Sequence, residues 1–165
     1  MTAPTTPAPG EQAPPGVIDA LNALLTGSRD GAKADREAAE AVHRADIKAL
    51  LTEHAAENDR HALEMEAEIR RLGGDPDDGG KLAAKARRFA QGVVAAVTGR
   101  DDSAVLSQVE SGLDQAERTY AQALREPVGP ETRALVERQW REMAQQHNRI
   151  AELLRQDPGK AQAQG

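Results

Sequence analysis

Residues 46–74 read DIKALLTEHAAENDRHALEMEAEIRRLGG, and this stretch decides the fold. One set of residues in it recurs every three or four positions, which is the spacing of a single helix face. Asp46 is a suitable N-cap, and Gly73-Gly74 is a helix stop. The stretch therefore predicts a long helix from about Asp46 to Leu72 with one buried face. That face consists of Ile47, Leu51, His54, Asn58, His61, Met65, Ile69 and Leu72.

Three further segments have the same periodicity. One runs from about Val17 to Val42, another begins near Asp101 and ends before Pro127, and the last covers about Glu131–Gln156. Alanine, leucine and glutamate are abundant, whereas β-branched and aromatic residues are few, and this composition favours helices over sheets. The chain is thus predicted to be all-α, with four long helices.

The lengths of the connections predict how the helices are arranged. The first and last connections are short, so the helices that they join should be antiparallel neighbours. The middle connection spans nearly 30 residues, begins with the helix-breaking run GGDPDDGG, and has room for a short helix over Lys81–Val97. One long crossover is the ferritin-like variant of the four-helix bundle. We therefore expect a ferritin-like four-helix bundle whose crossover contains a short extra helix.

The remaining segments are too rich in proline, alanine and glycine to bury apolar area. We expect a disordered Pro/Ala-rich tail over 1–16, the bundle over 17–156, and a flexible C-terminal tail over 157–165.

Composition excludes several classes of function. The chain has no cysteine, which rules out thiolate chemistry, disulfides and cysteine-ligated metals. Its net charge of −6 and its single Phe, Trp and Tyr disfavour a nucleic-acid partner. No apolar run approaches the roughly 20 residues of a membrane span, and no ordinary secretory signal is visible. We expect a cytoplasmic protein without a membrane partner.

Polar residues interrupt the apolar faces at similar depths on all four helices. When depth is counted from the end at which the first two helices connect, Asp35, His54, Glu110 and His147 fall about two turns in. Ser28, His61, Glu117 and Gln139 form a second layer about four turns in. Imidazole and carboxylate suit Fe, Mn or Zn. The candidate metal ligands are Asp35, His54, Glu57, His61, Glu110 and His147.

Two interpretations of these residues stay open. The usual di-metal bundle needs Glu-x-x-His on two helices, and here Leu51 and Ala144 stand where the two glutamates would precede His54 and His147. The polar residues are therefore also compatible with an interior in which they hydrogen-bond to each other or to water.

Seven short motifs occur in order along the chain: LNALL at 21–25, DG at 30–31, AAE at 38–40, IRRLGGDP at 69–76, YAQAL at 120–124, LVERQ at 135–139 and HNRI at 147–150. Together they resemble a bacterial ferritin-like four-helix-bundle family of unknown function, which is rubrerythrin-like at fold level. The resemblance covers roughly Val17 to Leu154 and implies the fold more than an activity. The chain departs from the family pattern at Leu113, where an acid is common, and at Asn58 and His61, where an Arg and an aromatic are typical.

Three hypotheses about function follow. The first is a non-enzymatic bundle protein, stress-related by fold analogy. The alternative is a metal-binding bundle for iron handling or peroxide chemistry. A third is an adaptor that uses its Pro-rich tail as a polyproline II ligand. Long amphipathic helices are also compatible with a homodimer.

Overall fold

The computed structural model describes residues 13–78 and 101–156. It contains four helices, α1 (Pro15–Ala41), α2 (Ala45–Arg71), α3 (Asp102–Ala123) and α4 (Pro130–Gln156). The four predicted long helices are confirmed, with ends within a few residues of those expected. The predicted short helix over 81–97 lies outside the described residues.

Local sequence explains where the helices begin and end. Proline occupies the first position of α1 and α4, where its missing N–H is not needed. The Asp101 side chain caps α3 by accepting a hydrogen bond from the Ser103 backbone N–H at 3.0 Å. Gly73 ends α2 in the left-handed region, with φ of 76°, which a glycine adopts without steric cost.

The helices form the antiparallel square of a ferritin-like bundle. α1 packs beside α2 and α3, while α4 packs beside α3 and faces α2 across a wider gap. Arg29 pairs with Glu66 and Arg36 with Asp59, so α1 and α2 run in opposite directions. The diagonal pairs are α1 with α4 and α2 with α3. All-α architecture and the ferritin-like bundle are thereby confirmed.

The core is built from leucine, isoleucine, valine, methionine and small alanines of all four helices. Burying a side chain of leucine size contributes about 1.5–3 kcal/mol, so this layer supplies most of the stabilisation. The largest fully buried apolar side chains are Leu21, Leu25, Ile47, Leu51, Met65, Ile69, Leu106, Ile150 and Val128.

Most of the predicted 1–16 tail lies outside the described residues, but residues 13–16 belong to them. Ala13 is buried, and its backbone N–H donates to the Leu72 carbonyl oxygen at 3.2 Å. The predicted C-terminal tail, 157–165, also lies outside. None of the helices in the described ranges is long and apolar enough to cross a membrane.

Candidate metal centre between α2 and α4

A ladder of polar contacts joins α2 to α4 along most of the bundle. From Glu53 to Glu64, each step of three or four residues along α2 is matched by a step of three or four residues backwards along α4, as antiparallel helices require. The gap between these helices is therefore bridged by long polar side chains, whereas α1 and α2 lie close together. The pairs are Glu53–Arg149, Glu57–Gln146, His61–Glu142, Glu64–Arg138, Glu68–Thr132 and Arg71–Glu131.

The middle of this ladder holds a compact cluster of metal-ligand side chains. Glu57 and His61 lie one turn apart on α2, and Glu142 faces them from α4. One ligand atom from each residue can be chosen so that all three lie within 4.8 Å of one another. His61 is almost fully buried, whereas Glu57 and Glu142 are about one quarter exposed. The cluster thus reaches from the bundle interior to its surface.

Two guanidinium groups share the Glu142 carboxylate with His61. His61 Nε2 lies 2.7 Å from Glu142 Oε2, and Arg60 donates to the same oxygen at 3.0 Å. Arg138 donates to both oxygens of Glu142 at 3.3 Å and to Glu64 at 2.8 Å. The carboxylates of this cluster are therefore already paired with positive charge.

The environment sets the protonation state of the cluster. Burial lowers the pKa of His61, against the opposing hydrogen bond and charge of Glu142. Partial burial raises the pKa of Glu142, but hydrogen bonds from His61 and Arg60 outweigh it, so this pKa lies below its ordinary value. At neutral pH the cluster consequently offers a neutral imidazole and an ionised carboxylate, the forms that bind metal ions.

A hydrogen-bonded chain connects the cluster to α3. Gln139 donates to Glu64 at 2.7 Å and to the His61 backbone carbonyl at 3.3 Å. The Tyr120 hydroxyl donates to Gln139 Oε1 at 3.2 Å. These buried contacts fix the side chains next to His61, although the Nδ1 atom of His61 itself has no hydrogen-bond partner.

The six predicted ligands do not converge on one point. Glu57 and His61 lie together in the α2–α4 cluster. His147 lies between α3 and α4, where its Nδ1 is 3.2 Å from Glu117 and its Nε2 is 3.4 Å from Asp114. This second group also has ligand atoms within 4.8 Å of one another, but both of its carboxylates are 40% or more exposed.

The other three predicted ligands belong to neither group. Asp35 accepts a hydrogen bond from Asn58 at 3.0 Å and lies between α1 and α2. His54 is fully buried, and neither of its ring nitrogens has a hydrogen-bond partner. Glu110 lies one turn before Asp114 on α3 and does not join the group around His147.

Glu142 was missed in the sequence because it lies beside the buried face of α4 rather than on it. The depth count nevertheless contained a signal for Glu142. The depth count placed His61 level with Gln139, and Glu142 follows Gln139 by three residues, so it lies within one turn of that level. Side chains on the flank of a face can reach inward when the neighbouring helix is distant, as α2 is here.

The helix order, the antiparallel square and the buried polar residues define a ferritin-like bundle protein. Residues 16–126 match the family described as domain of unknown function (DUF2383), and the chain belongs to this family. The expected membership of a ferritin-like family of unknown function is thereby confirmed. The matched residues cover α1 to α3, and α4 follows them.

A solved structure supports the fold. The chain is similar to a two-domain protein from Anabaena variabilis with DJ-1/ThiJ/PfpI-like and ferritin-like domains, with 22% identity and a TM-score of 0.68. The similarity covers 84% of this chain and 39% of that one. No curated protein matches the sequence. At this identity the likeness establishes the fold alone.

Proposed function

We propose that this protein binds one divalent transition-metal ion between α2 and α4, through Glu57, His61 and Glu142. The observation that carries the proposal is the approach of their three ligand atoms to within 4.8 Å of one another. One imidazole nitrogen and two carboxylate groups form a donor set that suits Zn²⁺, Mn²⁺ or Fe²⁺. A bound ion of this kind would supply Lewis-acid or, for iron and manganese, redox chemistry.

The donor set fits such an ion in its charge and protonation. Ligands must be deprotonated to bind, and burial keeps the His61 imidazole neutral while its neighbours keep Glu142 ionised. Gln146 donates a hydrogen bond to Glu57, and Arg138 donates to both oxygens of Glu142. Such outer contacts orient metal ligands in known sites.

Arg60 and Arg138 would compete with a metal ion for the carboxylate oxygens of Glu142. Glu142 Oε2 already accepts from Arg60 and lies against His61 Nε2, so metal binding has to replace the His61–Glu142 contact. The proposal therefore predicts that Arg60 weakens metal binding. Replacing it with glutamine should tighten metal binding, because one competing positive charge leaves the oxygens of Glu142.

A single ion is proposed rather than a di-metal pair. At this site the Glu-x-x-His spacing that stacks two ligands on one helix face is missing, because Asn58 stands three residues before His61 and the α2 ligands have Glu-x-x-x-His spacing instead. The stress-related role, the homodimer and the adaptor function of the tail remain predictions.

The test is metal analysis of the full chain purified without chelator, followed by titration of the stripped protein with Zn²⁺, Mn²⁺ and, without oxygen, Fe²⁺. We expect about one equivalent to bind and the Tm to rise, since an ion at 100 times its Kd stabilises by about 2.7 kcal/mol. His61→Ala should abolish both effects, and Arg60→Gln should strengthen them.

The second group provides a matched control, because His147→Ala removes a histidine that also faces two carboxylates. We expect His147→Ala to bind metal like the unaltered chain. Less than about a tenth of an equivalent in every titration, with no change in Tm, would overturn the proposal. Loss of binding in His147→Ala but not in His61→Ala would overturn it as well.

A further inference from the structure

A cavity of about 470 Å³ lies between α1 and α3 and reaches into the bundle. Small residues create it, because Gly27 and Gly31 on α1 face Gly112 and Ala116 on α3. A Cβ atom added to Gly27 would meet no described atom within 4 Å, so the space beside this helix is open. Binding sites for small molecules have volumes of roughly 300–1,000 Å³, and this cavity falls within that range.

The cavity is apolar over most of its surface but has acidic groups in it. Leu24, Val109, Leu113 and Met143 provide much of the apolar wall. None of Glu57, His61 and Glu142 lines it, so the cavity is separate from the α2–α4 cluster. A ligand that fills this cavity therefore needs a substantial apolar body.

Two carboxyl groups, Asp30 and Asp35, line the cavity, whereas no lysine, arginine or histidine among the described residues does so. Asp35 is 6% exposed and forms no ion pair within the described ranges. Its polar contact there is the hydrogen bond from Asn58. The cavity therefore combines apolar walls with negative charge that lacks a paired cation.

We infer that this cavity binds a small organic cation, an amine carried on an apolar body, with its ammonium group at Asp35. The apolar walls exclude water from the body of such a ligand. An ammonium group at Asp35 supplies a positive charge to a buried carboxyl group that forms no ion pair within the described ranges, and its N–H groups can donate to the carboxylate oxygens. An organic anion of the same shape would meet two carboxyl groups and no described cation.

Burial raises the pKa of both carboxyl groups, that of Asp35 to about 7. Lys33 opposes the rise at Asp30, and Asn58 and Arg36 oppose it at Asp35, but removal from water outweighs them. A bound ammonium ion would favour the ionised form, so amine binding should release a proton near neutral pH.

Three ligands with one eight-carbon chain test the inference, namely octylamine, 1-octanol and octanoate. Each is titrated by calorimetry into the full chain at pH 8, where the first is a cation, the second neutral and the third an anion. We expect octylamine to bind about tenfold more tightly than octanol and octanoate to bind most weakly, since a charge contact in a partly buried site exceeds that factor.

Two variants separate the effect of the Asp35 charge on ligand affinity from the effect of the open volume of the cavity. Asp35→Asn keeps the shape and removes the charge, so the preference for octylamine over octanol should disappear while octanol still binds. Gly27→Leu places a side chain in open space and should weaken all three ligands at least tenfold without unfolding the protein. Thermal denaturation of both variants checks that they remain folded.

Octanoate binding as tightly as octylamine would overturn the inference, because it would mean that charge at Asp35 does not select the ligand. The absence of measurable octylamine binding at millimolar concentration would overturn it too. These outcomes leave the metal proposal untouched, since His61→Ala removes the metal site and should not change octylamine affinity.

Discussion

His61 Nε2 on α2 lies 2.7 Å from Glu142 Oε2 on α4, at the middle of the polar ladder between these helices. The ladder replaces apolar packing at one side of the square, where charged side chains have been partly removed from water. Such pairs recover little net free energy, because desolvation offsets much of their attraction. The ladder therefore contributes less to stability than the apolar core does.

Replacing Glu142 with alanine should destabilise the protein by about 1–3 kcal/mol. The change leaves the buried His61 ring and two arginines, Arg60 and Arg138, without their shared acceptor. Urea denaturation at pH 7 measures the loss. Glu152→Ala is the control, because Glu152 forms an exposed ion pair with Arg155 and should change stability by less than about 0.5 kcal/mol. Equal losses in both variants would contradict this account of the ladder.

Asp35→Asn should change how stability depends on pH. Burial raises the folded-state pKa of Asp35 to about 7 from 3.8, although Asn58 and Arg36 oppose the shift. Between these values the folded protein holds a proton that the unfolded chain has lost, so the free energy of unfolding falls as pH rises. Asparagine cannot ionise. The variant should therefore gain roughly 1–3 kcal/mol relative to the unaltered chain between pH 5 and pH 8. Parallel pH profiles for the two proteins would contradict the prediction.

His54→Leu should change the pH dependence of stability in the opposite direction, over nearly the same pH range. Burial, assisted by Arg149 and opposed by Glu53, lowers the pKa of His54 to about 4 from 6.5. The unfolded chain binds a proton in this window and the folded one does not, so stability falls as pH decreases from 6.5 to 4. Leucine removes that loss, together with two ring nitrogens that lack partners.

Urea denaturation at pH 7 and pH 5 measures the effect. His54→Leu should be more stable by about 1 kcal/mol at pH 7 and by a larger margin at pH 5. Some acid sensitivity should remain, since burial lowers the pKa of His61 as well. A destabilised His54→Leu at pH 5 would show that the His54 imidazole is needed where it lies.

The fold could be predicted from the sequence because each of its determinants is local. The 3–4 spacing in residues 46–72 gives a helix and its buried face, and Gly73 marks the end. Connection lengths give the antiparallel order. The depth count also placed His61 level with Gln139, and the two residues are in contact.

The sequence indicated two of the three residues of the α2–α4 cluster, Glu57 and His61, but not Glu142, because ligand geometry depends on how far apart the helices lie. His54 faces inward as its spacing indicates, yet neither of its ring nitrogens has a hydrogen-bond partner. Glu142 lies off the buried face and still reaches His61, since the α2–α4 gap admits long side chains. Periodicity gives the direction of a residue on its own helix, but it carries no information about the distance to the next helix.

The two α1 glycines that line the cavity should respond differently to alanine. An added Cβ at Gly27 meets open space, so Gly27→Ala should stabilise the protein by about 0.5–1 kcal/mol through helix propensity. At Gly31 the added Cβ would lie 3.0 Å from Asn58 Nδ2, the group that donates to Asp35. That repulsion should cancel the gain or reverse it, and moving Asn58 should raise the pKa of Asp35 further. Thermal denaturation at pH 6 and pH 8 measures both effects. Equal stabilisation by the two substitutions would show that Asn58 moves without cost.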